Sequence, residues 1–435
     1  MNKKSTYKYL LFLISVVLLL SFAAPVFGEE SGEAAAISAG DTSWVLTASA
    51  LVLLMTIPGL ALFYGGMVRN KNVLSTMMHS FIAVCVVSIV WVLWGYTIAF
   101  GSDISGIIGS FEFLGLRGVG AEAFSGTAIP HLAFMVFQLM FAGITVALIS
   151  GAIAERMKFG AFILFAILWA TFIYSPLAHW VWGGGWLMEL GALDFAGGTV
   201  VHISSGVAAL AAALVLGTRH GHGTEKMAPH NLPFTLIGAS LLWVGWFGFN
   251  AGSALAANGI AAGAFVATHV ATAAAALSWL VVEWAYRGKP TALGAASGAV
   301  AGLVAITPAA GFVGPISAIA IGVGAGVFCY GAVLWKSKLG FDDALDVLAI
   351  HGIGGSWGAI ATGLFASVGG ATGLFFGNPG QVVIQAIGVG ATWVFSFVGT
   401  FIILKVLDMT IGLRVTKEEE VLGLDLSQHN ERAYS

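Results

Sequence analysis

Long apolar runs separated by short polar connections dominate the chain. Eleven of them fall at about residues 43–66, 73–100, 131–153, 159–181, 196–217, 233–256, 260–284, 294–309, 313–335, 345–367 and 381–407. An α-helix needs about 20 apolar residues to cross the hydrocarbon of a bilayer, and most of these runs reach that length. A further run, Leu10 to Leu20, is shorter and different in its flanks. Lys3, Lys4 and Lys8 precede it, and Val26 and Gly28 offer small side chains at the −3 and −1 positions for cleavage before Glu29. Residues 1–28 are therefore expected to be a cleaved signal peptide, 29–408 a transmembrane domain and 409–435 a tail. An uncleaved first span is the alternative, set back by the shortness of the run.

The polar connections orient the spans. Arg69 and Lys71, Arg156 and Lys158, Arg219 and Lys226, Arg287 and Lys289, and Lys336 and Lys338 occupy every other connection, and Lys405, Arg414, Lys417 and Arg432 gather at the end. The intervening connections hold only Arg117. Basic residues mark the cytoplasmic side. A missed or invented helix would scramble this alternation, so the expectation is an all-α polytopic protein of eleven transmembrane helices in a cell (inner) membrane, N-terminus out and C-terminus in.

Composition agrees. The chain is 58% hydrophobic and 9% charged, whereas soluble globular chains carry roughly a quarter charged residues. Too little polar surface remains to face water, so the lipid bilayer must solvate much of the exterior. The net charge of −3 and the lack of a basic run give no footing for nucleic acid. Cys85 and Cys329 each lie inside an apolar run and read as small core residues rather than a disulfide or metal pair. The 59 glycines and 10 prolines suit closely packed membrane helices.

An internal repeat is legible. Gly59-x-x-x-Phe63-x-x-Gly66, near the end of the first span, recurs as Gly245-x-x-x-Phe249-x-x-Gly252 near the end of the sixth. Asp194, His202 and Gly206, at the start of the fifth span, recur with identical spacing as Asp343, His351 and Gly355 at the start of the tenth. The repeat is five helices long. An odd number of spans turns the second copy over in the membrane, which predicts a five-plus-five inverted repeat with a substrate pathway at the interface of the halves.

Candidate chemistry concentrates where the repeat points. His202 and His351 lie inside apolar helices, where an ionisable side chain faces a cavity or a partner. A lone buried histidine is usually a hydrogen-bonded core residue, but two at equivalent positions are expected to meet on the pseudosymmetry axis. Edge to edge, one ring nitrogen would donate and the other accept, and the pair would titrate as a unit. A metal site competes with this reading but lacks a third ligand of the usual kind nearby. Asp194 reads first as a helix N-cap and second as a carboxylate lending negative potential to a cation vestibule. Asp343 and Asp346 read as caps or solvated groups. Phe137 and Phe141 are one turn apart and share a face, as do Phe249 and Ser253. Trp182 could simply mark the membrane interface. Together these five suit an aromatic cage with a hydroxyl acceptor for a small cation that carries N–H donors.

These residues carry a resemblance. Asp194-Phe195-Ala196-Gly197-Gly198-x-x-Val201, running through Ser205-Gly206 to Gly217-x-Arg219, is similar to the signature of the ammonium transporter family (Amt/MEP/Rh). So are Thr56-Ile57-Pro58-Gly59, Phe63-Tyr64-Gly65-Gly66, Ala154-Glu155-Arg156, Trp182-Gly183-Gly184-Gly185, Pro229-His230-Asn231-Leu232-Pro233, the run Trp246 to Ser253 and Gly412-Leu413-Arg414-Val415. The likeness spans the expected mature chain, and Trp182 points to the bacterial Amt branch. It implies a homotrimer with one pore per subunit. It also implies an outer substrate site of Trp182, Phe141 and Ser253 with Phe137 nearby, and Asp194 as the essential aspartate. Phe141 and Phe249 would form a gate, and His202, His351 and Trp246 would line the pore. The substrate would be ammonium or ammonia, with methylammonium as analogue. The tail would lie across the cytoplasmic face and touch a neighbouring subunit, with Arg414 pairing to carboxylates on the loops, and a trimeric PII signalling protein could dock there.

Potassium matches ammonium in size and charge but donates no hydrogen bond, so selection must come from the cage. The apolar pore below is hostile to an intact ion, which points to deprotonation outside, passage of ammonia, and reprotonation inside. The reading leans to net, electrogenic ammonium transport. No covalent chemistry or cofactor is required, so an enzyme is not expected. An ammonium sensor acting through a cytoplasmic partner is the rival. The short stretch after residue 408 leaves no room for an appended kinase or cyclase domain, which weighs against a fused sensor. A water or small-solute channel would fit the pore but not the cage.

Overall fold

The computed structural model describes residues 36–434; the expected signal peptide lies outside the described residues. Ten helices among them are long and apolar enough to cross a membrane: α1 Ala39–Met67, α2 Asn70–Phe100, α3 His131–Ile153, α4 Phe159–Glu189, α5 Gly198–Leu216, α6 Leu232–Gly252, α7 Gly259–Arg287, α9 Pro315–Leu339, α10 Leu348–Phe365 and α11 Gly380–Thr410. Between them α8, Ala292–Ile306, is apolar but only 15 residues long. At 1.5 Å per residue it covers about 23 Å, short of a ~30 Å hydrocarbon core. It stands where the sequence places its eighth run. Two tail helices follow, α12 Lys417–Leu422 and α13 Leu424–His429. The chain is mostly helical rather than all-α: the α2–α3 connection holds a short antiparallel pair, β1 Asp103–Ile104 and β2 Ile108–Gly109.

Local sequence sets the helix ends. Asn231, Asn258 and Thr291 accept backbone N–H bonds at the starts of α6, α7 and α8, each satisfying a donor that the helix cannot. Pro315 opens α9, where its missing N–H costs nothing. Inside α1 the helix breaks at Ile57 (φ −129°, ψ 105°), ahead of Pro58. Both α5 and α10 begin with a widened turn, Gly198–Ile203 and Leu348–Ile353.

The packing pairs α1 with α6, α2 with α3, α7 with α8 and α9, and α5 with α3 and α11. At the centre α5 crosses the start of α10. A Cβ on Gly206 would stand 2.1 Å from the Gly352 backbone nitrogen. Glycine alone therefore permits this approach of two backbones, the membrane analogue of a small-residue seam. Outward-facing positions are apolar, with Ile89, Val281 and Val394 all more than half exposed, as a lipid-facing exterior requires. Cys85 departs from expectation: it lies on that outer face, while Cys329 is buried. The lipid-like surroundings of α2 let an apolar-run cysteine face outward at no polar cost.

One end of the bundle carries the tail and a charged network. Glu155 accepts from the Arg69 backbone N–H (2.8 Å) and guanidinium Nε (2.9 Å), and pairs with Arg219 at 3.2 Å. Arg219 grips Asp342 through Nε and Nη2, both at 2.8 Å. Burial alone would raise both carboxyls, but the Arg219 guanidinium holds Asp342 well below the usual range, and Arg219 with Arg69 lowers Glu155. The tail packs back against the bundle of the same chain. Gly412 takes the left-handed φ of +69° that lets the chain turn back from α11. Val415 N–H donates to Arg156 O and Lys158 N–H to Leu413 O. Asp425 and Asn72 each accept a backbone N–H across the contact, from Ser75 and Leu424. Arg414 does not reach loop carboxylates: it pairs with Glu420 of the tail at 2.7 Å and donates to Leu216 O, because the turn at Gly412 aims it along α12.

Candidate functional site

Helices α3, α4, α5, α6, α8 and α10 enclose a column of aromatic side chains. Phe137 and Phe141, one turn apart on α3, meet at 4.9 Å between centroids in a T-shaped contact. Phe141 stacks on Phe249 of α6 with centroids 4.1 Å apart and ring planes at 27°. The Trp182 ring stands perpendicular to Phe141 at 6.1 Å. Phe137, Phe141 and Phe249 are buried, while Trp182 is half-buried. Thus the four aromatic residues expected to form the cage are contiguous.

Ser253 caps the C-terminus of α6, one turn beyond Phe249. Its hydroxyl donates to the Phe249 carbonyl at 2.8 Å. That commits the single O–H hydrogen and leaves oxygen lone pairs to accept from elsewhere.

Asp194 is a cap. Oδ1 accepts from Gly197 N (2.8 Å) and Gly198 N (2.6 Å), and Oδ2 accepts from Thr199 N (2.7 Å) and the Thr199 hydroxyl. Three successive amides at the start of α5 are thereby satisfied by one carboxylate, which also complements the positive end of the helix. Gly197 makes the arrangement with φ of +111°. The Trp182 indole N–H donates to the Asp194 carbonyl at 2.9 Å, so the same residue that caps α5 fixes the tryptophan. This link has no signature in sequence, because a backbone carbonyl is available everywhere.

On the other side of Phe249 the column ends on imidazoles. The His202 ring stacks with Phe249 at 5.9 Å and with Trp246 at 5.3 Å. His202 and His351, from the crossing helices α5 and α10, face each other with Nδ1 atoms 3.3 Å apart. Both are buried. A Cβ on Gly355 would lie 3.0 Å from the His202 Cβ, so the glycine seam is what brings the rings together. One residue missed by sequence reasoning joins them. Thr307, at the end of α8, accepts the Trp246 indole N–H at 2.9 Å, and its Oγ1 lies 3.3 Å from His202 Nε2. Only a search for polar residues in apolar runs would have found it, and threonine is common there.

Chemically, the column offers π faces and a hydroxyl acceptor at one end and a hydrogen-bonded imidazole pair at the other, separated by a stacked phenylalanine pair. Asp343 repeats the capping of Asp194 in part: its Oδ2 accepts Leu348 N at 2.8 Å. It belongs to the tail end of the bundle and does not approach the cage.

Comparison with known proteins shows the family of the chain. Residues 43–434 match the Ammonium Transporter Family. The chain is 57% identical over 402 residues to an ammonium transporter of Bacillus subtilis, covering 91% of this chain and 98% of that one. It is 52% identical over 400 residues to the ammonium transporter Amt1 of Archaeoglobus fulgidus, covering 92% and 100%. Among solved structures it superposes on Saccharomyces cerevisiae Mep2 with a TM-score of 0.83 at 36% identity, covering 91% and 94%. A sensor Amt protein gives 0.84 at 32% identity, covering 89% and 98%.

Proposed function

Because the chain belongs to the ammonium transporter family, we propose that it carries ammonium across a cell membrane through the column between its α5 and α10 halves. The observation that carries this reading is the continuity of the column, from the Trp182, Phe141 and Ser253 grouping through stacked Phe141 and Phe249 to the facing Nδ1 atoms of His202 and His351.

Ammonium binds at the outer end. The ring faces of Trp182, Phe137 and Phe141 attract a cation, and the free lone pairs of Ser253 accept one of its N–H groups. Potassium meets the same rings but donates nothing to the hydroxyl. Asp194 acts through structure: it holds Trp182 and the start of α5, and adds negative potential without touching substrate. Below Phe141 and Phe249 the walls are apolar. A mid-membrane charge costs about 2.5–3.5 kcal/mol on insertion scales, so the cation gives up its proton above the gate. Ammonia passes the imidazoles and is reprotonated inside. The proton follows through the His202–His351 pair, which makes transport electrogenic.

The same reading makes the spans eleven, with α8 the short one, arranged as two inverted five-helix halves. It places the N-terminus outside and the tail in the cytoplasm. Three subunits assemble, each with its own column. A PII protein docks on the face built by α12, α13 and the Arg69–Glu155–Arg219–Asp342 network, with the tail clasped to its own subunit.

A sensing role is the second reading, favoured by the likeness to the sensor Amt protein. Purified protein in proteoliposomes on a solid-supported membrane separates the two. Ammonium jumps should give inward current and potassium jumps none. Ammonium binding without current or uptake would leave the sensor.

A further inference from the structure

The transport reading uses the imidazole pair but does not say which ring holds the shared proton, and the surroundings of Thr307 decide it. Thr307 is fully buried, and its three hydrogen-bonding capacities can be counted. Its hydroxyl hydrogen is committed to the Leu303 carbonyl at 2.8 Å, since a carbonyl can only accept. The Trp246 indole can only donate, so at 2.9 Å it takes one lone pair of Oγ1. What remains for His202 Nε2, 3.3 Å away, is the second lone pair. A bare Nε2 would face that oxygen lone pair to lone pair. Nε2 must therefore carry the hydrogen.

In a neutral imidazole the other nitrogen is then bare. His202 Nδ1 is an acceptor, and the nitrogen facing it at 3.3 Å, His351 Nδ1, is the donor. The remaining nitrogen, His351 Nε2, has no hydrogen-bond partner among the described residues and is the bare end of the pair. Nothing near His351 competes with this order: no hydroxyl, amide or carboxylate among the described residues bonds its ring.

We propose that Thr307 is a positioning residue that gives the resting imidazole pair a preferred direction, with His202 protonated on Nε2, His351 on Nδ1, and the free acceptor at His351 Nε2. The inference rests on the transport reading for its significance, but not for its evidence. In this order a proton arriving at His351 Nε2 can displace the Nδ1 hydrogen onto His202 Nδ1. A proton arriving from the Phe249 side meets an Nε2 that is already occupied. Transfer in that direction requires the Nε2 hydrogen to leave Thr307 first, so the threonine sets how each cycle of the pair must be reset.

The test is the tautomer itself, read from ring-nitrogen resonances of 15N-histidine-labelled protein in lipid at neutral pH, without substrate. His202→Ala and His351→Ala variants assign the two rings among the ten histidines. The wild type should show His351 protonated on Nδ1 and His202 on Nε2. Thr307→Val, which keeps the shape and removes the oxygen, takes away one net hydrogen bond of bias. That is a factor on the order of five between the two orders, so the opposite order, with His202 protonated on Nδ1, should become readily visible. Thr307→Ser should restore the wild-type pattern. Should Thr307→Val fail to fold, His351→Ala serves instead, because His202 should stay protonated on Nε2 with Thr307 still present. A wild-type His202 protonated on Nδ1, or a Thr307→Val spectrum identical to wild type, would overturn the assignment. Failure of ammonium currents would overturn the transport reading and leave this result untouched.

Discussion

The starts of α5 and α10 are two solutions built on one spacing. In each, an aspartate precedes a histidine by eight residues, and its Oδ2 accepts the amide five residues on: Thr199 N at 2.7 Å for Asp194, Leu348 N at 2.8 Å for Asp343. The surroundings then diverge. Asp194 uses both oxygens on Gly197, Gly198 and Thr199, and its backbone carbonyl holds Trp182. Asp343 is more deeply buried, and its Oδ1 has no partner among the described residues. His202 has Phe249, Trp246 and Thr307 around it, whereas His351 has His202. The repeat places backbone and histidine in register. The side chains outside the repeat give the two halves different chemistry.

The largest break in the comparison is to remove a histidine. His202→Ala leaves the His351 imidazole without its only hydrogen-bond partner among the described residues, in an apolar site, and should lower ammonium-selective current at least about tenfold, the effect of a lost group worth ~1.4 kcal/mol in the barrier. His351→Ala should behave alike if the pair works as a unit. Ordinary selective currents in the double variant on a solid-supported membrane would show that the rings are only core packing.

Next comes Asp194→Ala against Asp343→Ala. Losing an N-cap costs about 0.5–2 kcal/mol, and each buried donor left unsatisfied adds about 1–3 kcal/mol. Asp194 leaves several such donors at the start of α5, and Asp343 fewer. Thermal unfolding in detergent should therefore be shifted well downward by the first substitution and less by the second. Equal shifts would mean that the extra hydrogen bonds of Asp194 carry no stability of their own.

How much of this was legible depends on what each feature needs. Most span boundaries were readable to within a few residues because apolar length is a local property; the run at 131–153 coincides with α3, whereas α4 runs to Glu189, past the expected end at 181. The contact of His202 with His351 followed from spacing, because a repeat that long constrains three dimensions from one. Thr307 was not legible: its role depends on three partners on α6, α5 and its own helix, and nothing in its neighbours along the chain marks it. Arg414 was read with the wrong partner for a related reason. Its direction is set by the left-handed turn at Gly412, and side-chain aim after a turn is not encoded in composition. The outward face of Cys85 was missed because an apolar run has the same appearance whether protein or lipid surrounds it.

A smaller effect is expected at Trp182, which belongs to the α5 side alone. Trp182→Leu removes one ring of the cage and the indole bond to Asp194, a cation–π contribution of about 0.5–2 kcal/mol. Discrimination between ammonium and methylammonium or other cations should fall by roughly 2- to 30-fold by that energy, with expression and assembly retained. Unchanged selectivity in a well-expressed variant would remove Trp182 from the binding site and leave it an interfacial residue.

The smallest expected effect tests the α10 side. Asp343 and its neighbour Asp342 lie next to each other but respond to pH in opposite senses. Burial raises the Asp343 carboxyl above its ordinary value, with Lys336 opposing and Asp346 adding to the rise. Asp342 is held low by Arg219 in spite of its burial. A carboxyl raised by folding keeps its proton longer in the native state. It therefore favours the fold at pH below the unfolded value of about 3.9 and loses that contribution as pH rises through the folded value. A depressed carboxyl does the reverse: its contribution is present above about 3.9 and lost as pH falls through the folded value. Of the two, only the Asp343 component operates above the ordinary carboxyl range. Asp343→Asn resembles the protonated form and removes that component while sparing Asp342. At neutral pH the variant should be as stable as wild type or slightly more so, within about 1 kcal/mol, since one charged group without a partner on Oδ1 has been discharged. As pH is lowered towards about 4.5, above the ordinary carboxyl range, the wild type should gain on the variant and the two melting curves should converge. Parallel melting temperatures for wild type and Asp343→Asn across that range would mean that the orphaned oxygen of Asp343 is solvated in the membrane protein as it stands, and that the two halves are more alike than their contacts imply.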